Sequence, residues 1–354
     1  MTAPATRMFA TCLPGLAPLV RQQLDDLPGI TATGDGFDGR ADIVLFGAGR
    51  GRRDRALALR TTEDVFVEVG RADRAQADDP RRIAAAIWRP QPVQRALSIW
   101  AEQQHPLAAS MTFRVITRVL SENTFLRTEL RRQLTEAVRR DRRRWTVADP
   151  AELEIWACEY RPGRFVAGLR LTDVRMRQHG GRGLERPGAL RPTLAAAMVD
   201  LAGKPPGVLL DPCCGSGTIL AEAVAAGWTA TGLDIDPSAV AIARRNAAQA
   251  TVHVGDAQRM SLPDASATAC VTNLPFGRQY RIQGETTPWL ATVLREIARV
   301  TRPGGHVVLL APEIPRAALP PSLRSAGAFP VRLLGMNVTT WSYRRLSRSR
   351  ALRP

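Results

Sequence analysis

The spacing of apolar and polar positions changes character along the chain, and the change falls near residues 186–206. Ahead of it, short strand-like runs alternate with helices in an α+β manner. Behind it, strand and helix alternate with the rhythm of a parallel α/β sheet. Residues 8–46 predict strand, helix, strand, strand, with residues 37–42 (FDGRAD) as a turn and residues 50–55 as a basic break. Residues 64–69 (DVFVEV) alternate as a half-buried strand would, and residues 81–88 and 92–103 predict helices. Residues 111–119 (MTFRVITRV) predict a strand with Phe113, Val115 and Thr117 on one face and Arg114, Ile116 and Arg118 on the other.

A helix is predicted over residues 124–140, where Leu126, Leu130, Leu134 and Val138 form an apolar stripe. Arg127, Arg131, Arg132, Arg139 and Arg140 lie off that stripe, and the helix runs into Arg142, Arg143 and Arg144. Residues 152–158 and 164–171 predict two strands around the turn Arg161-Pro162-Gly163.

In the second half, the apolar residues 208–210 reach Asp211, a glycine-rich loop and a helix over 220–226. Residues 229–233 form a second strand ending at Asp234, and a helix follows over 238–248. Residues 251–254 end at Gly255-Asp256-Ala257, and residues 269–272 lead into Asn273-Leu274-Pro275-Phe276-Gly277. Strand, glycine loop and helix together let backbone approach a nucleotide-like ligand closely. An acidic side chain after the second strand can accept both ribose hydroxyls, Ile235 offers an apolar surface to an adenine face, and Asp256 can accept an adenine amino group. Each site also has a plain structural reading: Asp234 as a helix cap, Asp256 as a turn residue, NLPFG as a loop. Their recurrence at successive strand ends favours a binding edge.

Composition narrows the classes. With 354 residues and 45% hydrophobic content the chain can bury sizeable cores. No run approaches the ~18 apolar residues of a membrane span, and residues 1–7 lack the order of a secretory signal, so a cytoplasmic protein is expected. The net charge of +16 favours a polyanionic partner. Lys204 is the only lysine, but arginine for lysine conserves charge, so that bias does not explain the excess. The cysteines and histidines lack the spacing of a zinc site, and no metal is expected. No GxGxxG and no GxxxxGK[ST] occurs, which argues against a nicotinamide enzyme and a P-loop NTPase.

Two resemblances sharpen this. TFRVITR, FLRTELRRQL, ELEIW and FVAGLRLTD resemble a THUMP domain, which follows a small ferredoxin-like domain in tRNA-modifying enzymes. Residues 186–346 resemble the class I methyltransferases that use S-adenosylmethionine (SAM). DPCCGSGT resembles their SAM loop, and NLPFG resembles the (D/N)PPY-type motif of nitrogen methyltransferases, with Leu274 where many relatives have proline. The combination, with GALRPTLAAAMVDLA ahead of the loop, is similar to tRNA guanine-N2 methyltransferases of the TrmN type. The resemblance implies an α/β chain with a C-terminal Rossmann-like domain behind an N-terminal α+β region. The expected division is 1–60 ferredoxin-like, 61–178 THUMP-like and 179–354 methyltransferase, with a linker at about 179–190.

It further implies SAM as cofactor, held by Asp211, Cys213, Gly215, Ser216, Gly217, Thr218, Asp234, Ile235, Asp256, Ala257 and Asn273. Asn273, Leu274, Pro275 and Phe276 would form the chemical centre. Arg114, Arg118, Arg127, Arg131, Arg132 and Arg139 would contact RNA. The family substrate is tRNA, gripped at its 3′ end and methylated in the acceptor-stem region, and a monomer without membrane contact is expected. Ribosomal RNA guanine N2, DNA adenine N6 and a non-catalytic RNA-binding role remain as alternatives.

Overall fold

A computed structural model of the chain describes residues 5–120, 125–179, 189–275, 286–333 and 336–347. It separates into two compact units, Met1–Arg177 and Gln178–Pro354.

The first unit runs β1 (Thr6–Cys12), α1 (Ala17–Asp25), β2 (Ile30–Phe37), β3 (Asp42–Ala48), α2 (Arg53–Leu57), β4 (Asp64–Ala72), α3 (Pro80–Ile87) and α4 (Pro90–Gln103). It continues with β5 (Thr112–Arg118), α5 (Arg127–Asp141), β6 (Thr146–Val147), β7 (Leu153–Arg161), β8 (Arg164–Arg170) and α6 (Val174–Gln178). All eight strands join one sheet in the order β2-β3-β1-β4-β8-β7-β5-β6. β1 pairs antiparallel with β3 on one side and β4 on the other. The expected boundary at residue 60 falls between β3 and β4. Across the β1–β4 pairing, Phe9 stacks on Phe66 with ring centroids 4.5 Å apart, and Trp156 of β7 follows at 5.4 Å.

Three expectations need correction here. β4 is buried on both faces over its first six positions. Its polar positions tolerate this because each is paired: Asp64 with Arg170 and Arg177, Glu68 with Arg71. The basic break at residues 50–55 leads into the short helix α2. Leu126 is 75% exposed, whereas Leu130, Leu134 and Val138 are fully buried. The reason is local: Leu126 precedes α5 in an extended conformation, so the helical period does not reach it. Thr124 lies outside the described residues.

The second unit runs α7 (Pro192–Leu201), β9 (Val208–Asp211), α8 (Thr218–Ala225), β10 (Thr229–Asp234), α9 (Pro237–Asn246) and β11 (Thr251–Val254). β12 (Ala267–Asn273), α10 (Thr286–Val300), β13 (Thr301–Ala311), β14 (Leu323–Leu333) and β15 (Met336–Arg345) complete it. The sheet order is β11-β10-β9-β12-β13-β15-β14. The first five strands are parallel, and β15 and β14 close the sheet as an antiparallel hairpin. This is a Rossmann-like α/β layer. Leu210 and Cys270 of the central strands pack with Val293, Leu294 and Ile297 of α10, which covers one face.

Candidate active site

β11, β10, β9 and β12 are consecutive neighbours in the sheet, so their carboxyl ends lie side by side. Those ends carry Asp256, Asp234, Asp211 and Asn273 around a cavity of about 500 Å³. The edge of a parallel sheet outside its strand ends is where open α/β folds bind ligands. Cys213, Gly215, Ser216, Thr218, Ile235, Ala257 and Pro275 also line this cavity. Gly217 does not line it. It shapes the loop instead: its φ is +82°, and a Cβ there would meet Ala243 at 3.0 Å. Gly215, at φ +52°, would point a Cβ into open space, so a ligand can approach its backbone.

The loop is held from outside. The Gly215 amide donates to Asp234 Oδ2 at 2.8 Å, the Cys214 amide to the Leu233 carbonyl at 2.8 Å, and Asn246 Nδ2 to the Ser216 carbonyl at 2.9 Å. Asp234 also accepts the Asp236 amide at 3.0 Å. The helix-cap alternative for Asp234 falls away, because Asp236 caps α9 by accepting the Ser238 amide at 2.8 Å. Asp256 accepts the Gln258 amide at 2.8 Å, and Ile235 stands 71% exposed at the cavity wall.

The site is acidic within a basic protein. Asp211 is 1% exposed. Burial pushes its carboxyl up to about 7, with the nearby Asp234 adding to the rise and the Cys213 amide hydrogen bond opposing it. Burial likewise raises the Cys213 and Cys214 thiols, which are free and stay protonated. A buried carboxyl beside two further carboxylates suits a cationic ligand.

Asn273 ends β12 with its side-chain oxygen buried and without a hydrogen-bond partner among the described residues. Such an atom stays unsatisfied until a ligand donates to it. Leu274 turns its side chain into the core, and its amide donates to the Leu310 carbonyl at 3.1 Å. Proline could not make that bond, so leucine here ties the motif to β13. Phe276 lies outside the described residues. Trp289 of α10 lines the cavity and escaped sequence reasoning, because no motif marks it.

The arginines expected at RNA divide into two groups. Arg114 pairs with Asp149 at 2.5 Å and Glu154 at 2.8 Å. Arg118 pairs with the buried Asp38 at 2.7 Å and lies over Trp156, and Arg132 pairs with Glu129 and Glu136. Arg127, Arg131 and Arg139 are exposed on α5. Among the described residues no cluster of His, Cys, Asp or Glu is placed to hold a metal, and no helix is long and apolar enough to cross a membrane.

Comparison with known proteins places the catalytic half. Residues 179–318 match the family model of UPF0020, described as an RMKL-like methyltransferase domain. The chain is 34% identical over 134 residues to the U6 snRNA (guanine-N(2))-methyltransferase THUMPD2 of Bos taurus, covering 35% of this chain and 26% of that protein. It is 29% identical over 216 residues to the tRNA (guanine(10)-N2)-dimethyltransferase of Methanothermobacter thermautotrophicus, covering 56% of this chain and 57% of that one. The chain therefore spans only part of the length of these relatives. The crystal structure of TrmN from Thermus thermophilus shares the fold, with a TM-score of 0.73 at 24% identity over 96% of this chain and 100% of that one. Residues 179–318 are thus similar to the RMKL-like methyltransferase domain, and the chain shares the fold of TrmN.

Proposed function

We propose that this chain methylates the exocyclic N2 of a guanosine in RNA, with tRNA as substrate and the acceptor-stem region as target. The observation that carries the reading is the buried oxygen of Asn273, unpartnered among the described residues, in the lining of an acidic cavity. The guanine-N2 activities of the cattle and archaeal relatives support it. So does the net charge of +16, which suits RNA.

SAM supplies an electrophilic methyl group on a positively charged sulfur. The residues present fit it: Asp234 beside the glycine loop for the ribose hydroxyls, Ile235 and Asp256 for the adenine, and Asp211 for positive charge. The chain's task is then alignment. Guanine N2 is a weak nucleophile because its lone pair is delocalised into the ring. The Asn273 oxygen accepts one amino hydrogen and the Leu274 carbonyl accepts the other, which turns the nitrogen toward the methyl group. Pro275 bounds the cavity beside them, where a base withdrawn from its helix would enter. An amide is no base near neutral pH. Asn273 would therefore hold the amino hydrogen rather than remove it, and the proton would leave to solvent after methyl transfer.

In this reading residues 1–60 and 61–178 serve as ferredoxin-like and THUMP-like parts of one RNA-holding unit. The protein acts as a cytoplasmic monomer without a metal. Transfer of labelled methyl from SAM to bulk tRNA, followed by nucleoside analysis, tests the proposal. Label in N2-methylguanosine or N2,N2-dimethylguanosine is the expected result, and label in any other nucleoside, or none, overturns it.

A further inference from the structure

The first unit carries two basic hollows joined at one hydrogen bond. The first, of about 530 Å³, lies where the end of β4, the end of α3 and the β7–β8 hairpin meet, and Arg71, Arg89 and Arg164 line it with Asp73. The second, of about 380 Å³, lies beyond the carboxyl end of α5, lined by Arg142, Arg143 and Arg144 with Asp141. Between them the Trp88 indole donates to Asp141 Oδ2 at 3.1 Å. Trp88 directly precedes Arg89 of the first hollow, and Asp141 itself lines the second, so the bond ties the two linings together.

Six arginines against two aspartates leave this surface strongly positive. Two of the arginines are partly neutralised: Arg71 by Glu68, Arg142 by Asp141. Arg89 and Arg164 in the first hollow, and Arg143 and Arg144 in the second, are exposed and have no carboxylate partner among the described residues. Arg89 is aimed: its Nε donates to the Ala86 carbonyl at 3.0 Å, which leaves the guanidinium tip free in the hollow. Each hollow contains one aromatic residue, Tyr160 or Trp145, and both are buried. An exposed ring would have offered a base a stacking surface. Guanidinium tips in concave hollows without exposed rings fit phosphates.

We infer that the two hollows form one track for the phosphate backbone of an RNA strand, gripping it irrespective of sequence. The inference rests on the RNA reading above and adds where the strand is held. The exposed Arg127, Arg131 and Arg139 of α5 line neither hollow, so they serve as the comparison in the test.

The test uses the full chain with bulk tRNA as probe and binding measured across a salt series. Arg89→Gln with Arg164→Gln, and separately Arg143→Gln with Arg144→Gln, should each raise Kd about tenfold or more near 0.1 M salt. Each pair should also lower the slope of log K against log salt by roughly 2, about one for each phosphate left without its arginine. The circular dichroism spectrum and Tm should stay at the wild-type values, which confirms folding of the first unit, and SAM affinity by calorimetry should be unchanged. Wild-type affinity and slope in both double variants overturn the track, as does weakening confined to Arg127→Gln with Arg131→Gln on α5. If the wild-type protein methylates guanosine while the track variants bind normally, the track alone fails. If the wild-type protein neither binds nor methylates RNA, both readings fail together.

Discussion

Asp234 and Gly215 are joined by a 2.8 Å hydrogen bond from the loop amide to the carboxylate that would also face a ribose. One carboxylate thus shapes the loop and offers the ligand acceptors. Asp234→Ala should remove both, and hydrogen bonds to a charged group contribute about 1.5–3 kcal/mol each. The expected outcome in calorimetry is a SAM Kd raised about 100-fold or more, with tRNA affinity retained. Unchanged SAM affinity would remove Asp234 from the site.

Asp211 gives the site a pH dependence. An unfolded aspartate titrates near 3.9, whereas burial raises Asp211 up to about 7 in the folded chain. The protonated form is therefore the one folding favours. This contribution to stability is complete below about 4 and is lost as pH rises through about 7. A cationic ligand reverses the preference by favouring the carboxylate. SAM binding below pH 7 should then release a proton and tighten as pH rises, levelling off above about 7. Calorimetry in buffers of different ionisation heat measures that proton directly, and Asp211→Asn should flatten the profile.

Gly217→Ala tests the loop. Its φ of +82° and the 3.0 Å approach to Ala243 leave no unstrained place for a methyl group. A cost of about 1–3 kcal/mol is expected, seen as a Tm lower by several degrees, together with weaker SAM binding. A variant with wild-type Tm and affinity would show that the loop adapts.

Asn273→Ala separates alignment from binding. Most cofactor interactions remain, so SAM affinity should change little, while kcat falls by about 10²- to 10³-fold, as expected when a positioning acceptor is removed. Asn273→Gln keeps the amide but displaces it by a methylene, and should recover little of the rate. Equal losses in SAM affinity and kcat would mean that Asn273 mainly holds the cofactor.

The strand ends from Asp211 to Asn273 were legible because each couples a short apolar run to a polar stop, a pattern that survives without tertiary information. The loop residues were legible for the same reason. The hairpin β14–β15 was not: β14 is largely exposed, and the buried positions of β15 include the polar Thr340 and Ser342, which no apolar pattern marks. Arg114 and Arg118 show a different limit. On a strand they look like an outward basic face, yet Asp149, Glu154 and Asp38 reach them from segments that are distant in sequence. Periodicity gives the direction of a side chain, not the partner waiting there. Leu274 shows the reverse case: a departure from the family motif became intelligible only once its amide was found on Leu310.

β1 is bonded on both long edges, to β3 and to β4. Pulling it out would bare two strand edges at once and break the Phe9–Phe66 stack. The first unit should therefore yield cooperatively under mechanical load, with β1 as its clasp. A peptide matching residues 6–12, added to a chain lacking them, should restore solubility by filling the gap.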